Sequence, residues 1–395
     1  MLCKVWYNVS KSLERNIIMR RLLVFTLMLS LILCGCGADK TLENTAPSTT
    51  QAPTTVPAET TAPTQDVTVP TEPEDVEDPP APVEPAYRHP LTGEALDAPF
   101  TGRPVAFSIG NTIAALPQHG ISKADLFFEI EAEGDITRFL AVITDLEAVP
   151  AIGPIRSART FFNSVALSCN APIVHCGGSN RGIAGYHDLT GSKISGWQHF
   201  DQFTYGNTYF YRDQSRKSSG YAQEHTLFTT GETMCKALTD KKYQSSEPWD
   251  LGLRFADKIN PEGDTATELT VHFLGGKTSD FAYDAATGLY SIRQYNRDLI
   301  DGNTKKQLTF RNLFVLYADQ TKRKGGSYIR SYYDLIGEGE GYFAVDGKVV
   351  KICWSREDVN APFVFTYADG TPVTLGVGQT YIAISSTKAK TLSYE

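Results

Sequence analysis

Apolar residues in the first folded part of the chain form short runs that alternate with a helical pattern. Strands are predicted by four runs rich in apolar and β-branched residues, namely 104–109, 124–131, 138–145 and 171–176. A helix is predicted over 157–170, where apolar residues recur at helical spacing behind Ser157 as the N-cap. A second helix is predicted over about 224–238. This alternation favours an α/β domain over 87–250 with a mixed, largely parallel sheet.

The hydrophobic pattern changes at about residue 265, where brief strands separated by turn signals replace the alternation. The predicted strands are 269–274, 281–283, 289–295, 313–317, 328–335, 341–345, 349–354, 363–367 and 379–385. Asp346-Gly347 and Asp369-Gly370 predict tight hairpin turns, and the Gly-Glu-Gly-Glu-Gly run over 337–341 predicts a flexible turn. The pattern predicts a mainly β domain over 262–395, as a barrel or sandwich packed on the first half, so the whole chain is of the α+β or α/β class.

The N-terminal region has the pattern of a lipoprotein signal peptide over 19–35. Arg20 and Arg21 precede an uncharged apolar run over 22–33, which is shorter than the about 20 apolar residues of a membrane-spanning helix. Lipid attachment is predicted at Cys36, because a leucine lies three positions upstream of Cys36 and a small residue lies directly before it. Cys34, in contrast, follows a large residue. An ordinary secretory signal with incidental cysteines is the alternative. Residues 1–18 are predicted to be an upstream mis-start.

Residues 36–86 are predicted to form a lipid anchor and a disordered stalk. They are rich in Thr and Pro, and 41–86 holds nine acidic residues without a Lys or Arg. Such a segment buries too little apolar surface to fold and is extended and semi-rigid. The predicted location is therefore the outer face of the cytoplasmic membrane, with the membrane as a partner through Cys36.

The net charge of −8 belongs mostly to the stalk, so the folded part is nearly neutral. No nucleic-acid partner is predicted, because such binding needs a net basic face. The cysteines of the folded part, Cys169, Cys176, Cys235 and Cys353, match no strong zinc spacing, and their pairing stays open. No metal site and no cofactor are predicted.

The most informative local sequence is Gly-Pro-Ile-Arg-Ser-Ala-Arg over 153–159. It follows a predicted strand and opens a predicted helix, where free backbone N–H groups and the helix dipole favour an anion. Arg156 and Arg159 add two guanidinium groups suited to carboxylate or phosphate. In the alternative, these arginines hold acids of the neighbouring strand as a structural network, for which the candidates are Glu129, Glu131, Glu133 and Asp135.

Two further segments supply candidate ligand-binding residues. The turn that begins at His175 follows the next predicted strand and would lie at the same sheet edge, although a packed or capping role is favoured for His175 itself. Residues 205–217 combine aromatic and basic side chains, which suits sugars or glycan phosphates unless the aromatics simply pack on the core. The candidate set is Glu133, Arg138, Arg156, Ser157, Arg159, His175, Gly177, Gly178, Ser179, Arg212 and Asp213.

Several motifs together resemble the YerB-like lipoproteins of Gram-positive bacteria. They are Gly102-Arg103-Pro104-Val105-Ala106, Ala132-Glu133-Gly134, Ile136-Thr137-Arg138-Phe139, the 153–159 loop, His175-Cys176-Gly177-Gly178-Ser179, Arg212-Asp213 and Thr287-Gly288-Leu289-Tyr290. The resemblance covers essentially all of 87–385 and implies two linked domains and a lipid anchor, with no known activity. Cys176 stands where the family is expected to have a small residue, which disfavours a catalytic cysteine.

Two functions are compatible with these residues. The first is a surface lipoprotein that binds an anionic glycan, a phosphate ligand or a partner protein through a cleft over 133–225. The second is a metal-dependent phosphotransferase or hydrolase acting on phosphate-linked envelope polymers, distantly similar to the LytR–CpsA–Psr enzymes. The second would need Glu133, Asp135 or Asp213 and a divalent ion, because the Arg-x-Asp arrangement of those enzymes is absent. Binding is favoured, since no nucleophile or acid–base pair stands out.

Substitution of Cys36 tests the anchor directly. Cys36→Ala is expected to release the protein from the membrane fraction or to leave its signal uncleaved, because the acceptor thiol is gone. Cys34→Ala is the matched control and is expected to stay in the membrane fraction. Fractionation and immunoblotting check both, and unchanged processing and retention of Cys36→Ala would contradict the assignment.

Overall fold

The computed structural model describes residues 85–134, 136–178, 199–244, 247–325 and 328–395. The strands are β1 (Tyr87–Arg88), β2 (Ala95–Leu96), β3 (Val105–Asn111), β4 (Leu126–Glu133), β5 (Ile136–Ile143), β6 (Ile173–His175), β7 (His199–Asp201), β8 (Tyr211–Arg212), β9 (Leu227–Phe228), β10 (Arg254–Ala256), β11 (Asp264–Thr265), β12 (Glu268–His272), β13 (Thr278–Asp284), β14 (Leu289–Gln294), β15 (Arg297–Asp298), β16 (Thr309–Phe310), β17 (Asn312–Ala318), β18 (Gln320–Gly325), β19 (Tyr328–Tyr333), β20 (Gly337–Val345), β21 (Lys348–Arg356), β22 (Val364–Thr366), β23 (Thr374–Gly376), β24 (Thr380–Ser386) and β25 (Ser393–Tyr394). The α-helices are α1 (Thr160–Ser168), α2 (Gln202–Tyr205), α3 (Gln214–Ser218) and α4 (Gly231–Lys241). The described chain is therefore mostly strand with few helices.

One large mixed sheet contains strands from both halves of the chain. Its order is β11-β21-β20-β17-β24-β4-β5-β3-β6-β7, with β18, β19 and β22 attached beside this path. The two halves meet where β24 runs parallel to β4, so that residues 380–384 pair with residues 126–130. The second half thus contributes strands to the same sheet as the first. The predicted division into domains at 87–250 and 262–395 stays a prediction.

The prediction of a largely parallel sheet is wrong for the first half, although the sheet is mixed as predicted. The long ladders β3–β5 and β4–β5 are antiparallel, and only the shorter β3–β6 and β6–β7 pairs are parallel. For β4 and β5 the cause is the short connection between Glu133 and Ile136, which passes through Gly134 with φ of 56°. A parallel pair needs a crossover of a dozen residues or more, whereas an antiparallel pair needs only a tight turn.

The two faces of the sheet bury two separate apolar layers. Along β4, Leu126, Phe128 and Ile130 lie in the layer that contains α1, whereas Phe127 lies in the layer against a second sheet. That six-stranded sheet has the order β15-β14-β13-β12-β25, with β16 beside β14. Every residue of α1 is buried, because it lies against the large sheet.

Both predicted helices begin later than the sequence pattern indicates. Helix α1 begins at Thr160 with Arg159 as its N-cap, so Ser157 is not the cap. The Ser157 carbonyl instead accepts a 2.6 Å hydrogen bond from Arg138 Nη1. Helix α4 begins at Gly231 behind Thr230, whose hydroxyl accepts from Thr233 N, because the preceding residues form a 3₁₀ turn and β9.

The glycine-rich run over 337–341 is a strand, which corrects the predicted flexible turn. It forms the first part of β20 and pairs with β21. Gly339 lets the Trp354 indole pack against the backbone, since a Cβ at this position would lie 2.5 Å from Trp354 Nε1. The tight turn at Asp346-Gly347 is confirmed, with φ of 51° and 70°.

A buried carboxylate on β4 connects the two halves. Glu129 is fully buried, and its Oε1 accepts from Asn111 Nδ2 at 3.1 Å and from Thr137 Oγ1. Its Oε2 accepts from residues of the second half, namely Ser279 Oγ at 2.9 Å, Gln294 Nε2 at 2.7 Å and Tyr381 OH at 2.8 Å. Lys277 Nζ lies 3.5 Å from Oε1. Both oxygens of this buried acid are therefore satisfied, and three of its five hydrogen-bond donors come from the second half of the chain.

The predicted signal peptide, lipidation at Cys36 and stalk lie outside the described residues. Within the described residues, no helix is long and apolar enough to cross a membrane.

Removal of the Glu129 carboxylate tests its contribution to the fold. Glu129→Ala is expected to lower the free energy of unfolding by about 3–5 kcal/mol, because it leaves the buried Lys277 without its counter-charge and several buried donors without an acceptor. Glu268→Ala, an exposed position on β12, is the control and is expected to change it by about 0.5 kcal/mol or less. Urea unfolding at neutral pH measures both, and a loss below about 1 kcal/mol for Glu129→Ala would contradict the network's importance.

Candidate functional site

Two of the predicted arginines are held by one acid of β4. Arg159 Nε and Nη2 donate to Glu133 Oε2 and Oε1 at 2.7 and 2.6 Å, and Arg138 Nη2 also pairs with Glu133 Oε1. The register of β4 and β5 shifts between Glu131 and Glu133, and such a bulge redirects the side chain that follows it. Both arginines are buried. For Arg159, therefore, the structural network is the alternative that the geometry supports.

Electrostatics keep this cluster charged. Burial on its own would raise the pKa of Glu133, but Arg138 and Arg159 outweigh it and hold that pKa below its ordinary value. Burial lowers the pKa of Arg138 to about 9, so its guanidinium stays protonated at neutral pH. A charged Glu133 with two charged partners is a stable arrangement in a poorly solvated place.

Arg156 lines an open cavity of about 370 Å³ that adjoins this cluster at Ser157, whose carbonyl accepts from Arg138. The other lining residues are Ile155, Ser157, Cys176, Arg212, Ala222, Gln223 and Glu224. The Arg156 side chain packs against β3 at Gly110. A Cβ atom at this position would lie 2.9 Å from Arg156 Cγ, so the contact needs a glycine. The cavity therefore brings together Arg156, Ser157 and Arg212 from the predicted set.

The two guanidinium groups of the cavity have different partners. Arg156 Nη1 lies 3.3 Å from Glu224 Oε2 and donates to the Glu224 carbonyl at 3.4 Å. Arg212 Nη1 donates to the Gln223 carbonyl at 2.6 Å, and no carboxylate of the described residues pairs with Arg212. The cavity thus carries two positive charges and one negative charge.

His175 is a structural residue and does not line the cavity. It is completely buried, and its Nδ1 lies 2.9 Å from the Gly177 carbonyl while its Nε2 lies 3.3 Å from His199 Nδ1. Burial lowers the pKa of His175 to about 4, although Asp201 opposes this, so the ring is neutral at pH 7. The carbonyl can only accept, so Nδ1 carries the proton and Nε2 accepts from His199. The ring therefore joins β6 to β7.

Gly177 of the predicted turn allows a left-handed backbone conformation and a close contact with a neighbouring ring. Gly177 has φ of 66°, and a Cβ there would lie 2.5 Å from the Phe203 ring. Its N–H donates to Asp201 Oδ1 at 2.7 Å. Gly178 follows it but does not line the cavity, and Ser179 lies outside the described residues, as does Asp135.

Most aromatic side chains over 205–217 pack on the core, although Tyr211 is exposed, which supports the alternative of aromatics against the core. Tyr205 and Tyr209 contact Phe200, and the buried Arg216 donates to the carbonyls of Ala115 and His225. Asp213 caps α3, since its Oδ1 accepts from Arg216 N at 3.0 Å. Of the predicted residues in this segment, only Arg212 lines the cavity.

The described thiols and acids form no metal-binding group. Among the residues that the structure describes, no set of three or more His, Cys, Asp or Glu side chains is placed to hold a metal ion. Cys169, Cys176 and Cys235 are free thiols. Burial raises the pKa of Cys176, while Arg212 and Arg156 oppose the rise, so this cavity residue is a neutral thiol at pH 7.

Sequence reasoning missed Glu224 as a cavity residue. It also missed Ile155, Ala222 and Gln223. Glu224 is separated from Arg156 by 68 positions, so no local spacing indicates their contact.

Comparison with known proteins relates the chain to one family. The family model described as "Protein of unknown function (DUF3048) N-terminal domain" matches residues 91–244, and the model of the C-terminal domain of the same family matches residues 269–382. A protein of Bacillus subtilis (strain 168) named "Putative lipoprotein YerB" is 27% identical over 312 residues, which cover 75% of this chain and 88% of that protein. The crystal structure of the YerB protein from Bacillus subtilis has a TM-score of 0.64 and 25% identity, and covers 78% of this chain and 99% of that structure.

The chain belongs to the DUF3048 family and is similar to YerB. The resemblance predicted from the motifs is confirmed. The N-terminal model covers β4, and the C-terminal model reaches the first residues of β24, with which β4 pairs. Both family descriptions give the function as unknown, so the comparisons assign no ligand and no activity.

The different partners of Arg159 and Arg156 predict different costs of substitution. Arg159→Ala is expected to destabilise the YerB-like fold by about 3–5 kcal/mol, because Glu133 loses two hydrogen bonds and a buried counter-charge. Arg156→Ala is expected to cost about 1 kcal/mol or less, because its pair with Glu224 is partly exposed. Urea unfolding at pH 7 measures both.

The pH dependence follows from the lowered pKa of Glu133. A carboxylate with a lowered folded-state pKa stabilises the fold above its ordinary pKa, and this stabilisation is lost as the pH falls through the lowered value. The stability difference between wild type and Arg159→Ala is therefore expected to shrink at acidic pH. Equal, small costs for both substitutions at pH 7 would contradict the structural role of Arg159.

Proposed function

We propose that this YerB-like protein is a lipoprotein anchored on the outer face of the cytoplasmic membrane, and that it binds a phosphate-bearing envelope ligand through the cavity lined by Arg156 and Arg212. The observation that carries the proposal is that Arg212 has no carboxylate partner in the described chain, beside a second guanidinium that is only loosely paired. Guanidinium groups suit phosphate because their N–H groups form paired, charge-assisted hydrogen bonds with its oxygens.

The predicted anchor and the cavity are compatible with one arrangement at the membrane. The lipoprotein signal pattern at Cys36 and the name of the Bacillus subtilis relative support attachment to the membrane, and the Thr/Pro-rich stalk would hold the folded part away from it. The folded part would then meet ligands of the envelope. A cavity of about 370 Å³ is larger than a phosphate ion, and it has apolar lining at Ile155 and Ala222. This favours a phosphate group attached to an organic body, such as a polyol or a sugar.

Binding of small phosphates by the full-length protein tests the proposal. Inorganic phosphate and glycerol phosphate are expected to raise the melting temperature, and Arg156→Ala or Arg212→Ala is expected to weaken binding at least about tenfold through loss of a charge-assisted hydrogen bond. Arg293→Ala is the matched control, because Arg293 is exposed on the second sheet and pairs with Asp298. Thermal shift and calorimetry measure the effect, which is expected to weaken at high salt. Phosphate binding that is unchanged in both cavity variants would contradict the proposal.

A further inference from the structure

The cavity contains its own anion. The Glu224 carboxylate lies 3.3 Å from Arg156 Nη1, on the edge of the space that the proposed ligand would enter. The Glu224 side chain is 59% exposed, whereas the Arg156 side chain is only 19% exposed. The acid can therefore leave the arginine and become hydrated, while the arginine stays in place.

This pair differs in strength from the other arginine–glutamate contact of the site. Arg159 binds Glu133 through two nitrogens at 2.6 and 2.7 Å in a buried place. Arg156 reaches the Glu224 carboxylate through one nitrogen at 3.3 Å, at a position open to solvent. Exposed single-contact pairs are weak and are screened by water and salt. An incoming anion can therefore replace Glu224 on Arg156, but it cannot readily replace Glu133 on Arg159.

The neighbouring titratable groups do not change the charge of the cavity at neutral pH. Burial lowers the pKa of His225, Arg156 adds to the lowering and Glu224 opposes it, so the ring beside Glu224 is neutral at pH 7. The Cys176 thiol is also neutral, because burial raises its pKa. With Glu224 on Arg156 the lining charges sum to one positive charge, and with Glu224 turned outward they sum to two.

We infer that Glu224 is a resident counter-anion that occupies Arg156 in the free protein and is displaced when a doubly charged phosphate group binds both Arg156 and Arg212. The inference rests on the proposed function of the same cavity. A singly charged anion can pair with Arg212 while Glu224 stays on Arg156, and both guanidinium groups are then neutralised. A phosphate monoester carries up to two charges and three terminal oxygens, so it can neutralise both guanidinium groups itself. Glu224 thus lowers the affinity for ligands that need Arg156.

A double-mutant cycle tests direct competition at Arg156. In the full-length protein, Glu224→Gln is expected to raise the affinity for glycerol phosphate about three- to tenfold, because the amide keeps the size of the side chain and removes the competing charge. In an Arg156→Ala background the same substitution is expected to have little effect, because the arginine for which Glu224 and the ligand compete is absent. Acetate, which can bind Arg212 alone, is expected to gain less than glycerol phosphate. Glu268→Gln, an exposed acid on the second sheet, controls for the change in net charge.

The outcomes separate this inference from the proposed function. Isothermal titration calorimetry gives the affinities, and the melting temperature without ligand shows that each variant is folded. An equal gain from Glu224→Gln with and without Arg156 would overturn the inference, because it would indicate long-range repulsion instead of competition. No gain, while Arg156→Ala still weakens phosphate binding, would overturn the inference alone. Absence of phosphate binding in the wild type and in Glu224→Gln would overturn the proposed function and the inference together.

Discussion

The fold depends on burying the Glu129 carboxylate where no water reaches it. Removing a charge from water costs several kcal/mol unless hydrogen bonds and a counter-charge replace the lost hydration. Here the replacement donors come from β3 and β5 on one side and from Ser279, Gln294 and Tyr381 on the other. The acid is satisfied only when both halves are assembled. A buried acid of this kind favours one arrangement of the halves over other compact arrangements.

Glu131 and Glu133 extend the same pattern along β4 with different partners. Glu131 accepts from Gly275 N at 2.9 Å and Gln320 Nε2 at 3.0 Å, both from the second half. After the bulge, Glu133 instead binds Arg138 and Arg159, next to α1. Glu133 therefore holds Arg138 and Arg159 in the fold. Arg156 and Arg212 are left to line the cavity, and this division underlies the proposed function.

The sequence predicted most strands because their apolar runs are local, but several long-range features left no local signal. The parallel pair of β4 with β24 joins residues more than 250 positions apart. The glycine-rich start of β20 is a strand because it pairs with β21, where Gly339 leaves room for Trp354. The assignment of ligand-binding residues stays a prediction. Arg156, Ser157 and Arg212 line one cavity, but Arg159 does not join them. Residues three apart share a face only inside a helix, and Arg159 is an N-cap with extended φ and ψ of −128° and 160°. Glu224 could not be predicted, because its contact with Arg156 arises only from the folding of a distant segment.

The division of the arginines can be measured directly by following the Nε–H resonances of arginine side chains by NMR during a phosphate titration. The buried Arg159 donates from Nε to Glu133, so its proton is expected to exchange slowly with water and its resonance to be unaffected by phosphate. The Arg156 and Arg212 resonances are expected to exchange faster and to shift in a saturable way as phosphate binds. Saturable shifts of Arg159 with no response of Arg156 and Arg212 would contradict the assignment of one arginine to the fold and the other two to the ligand.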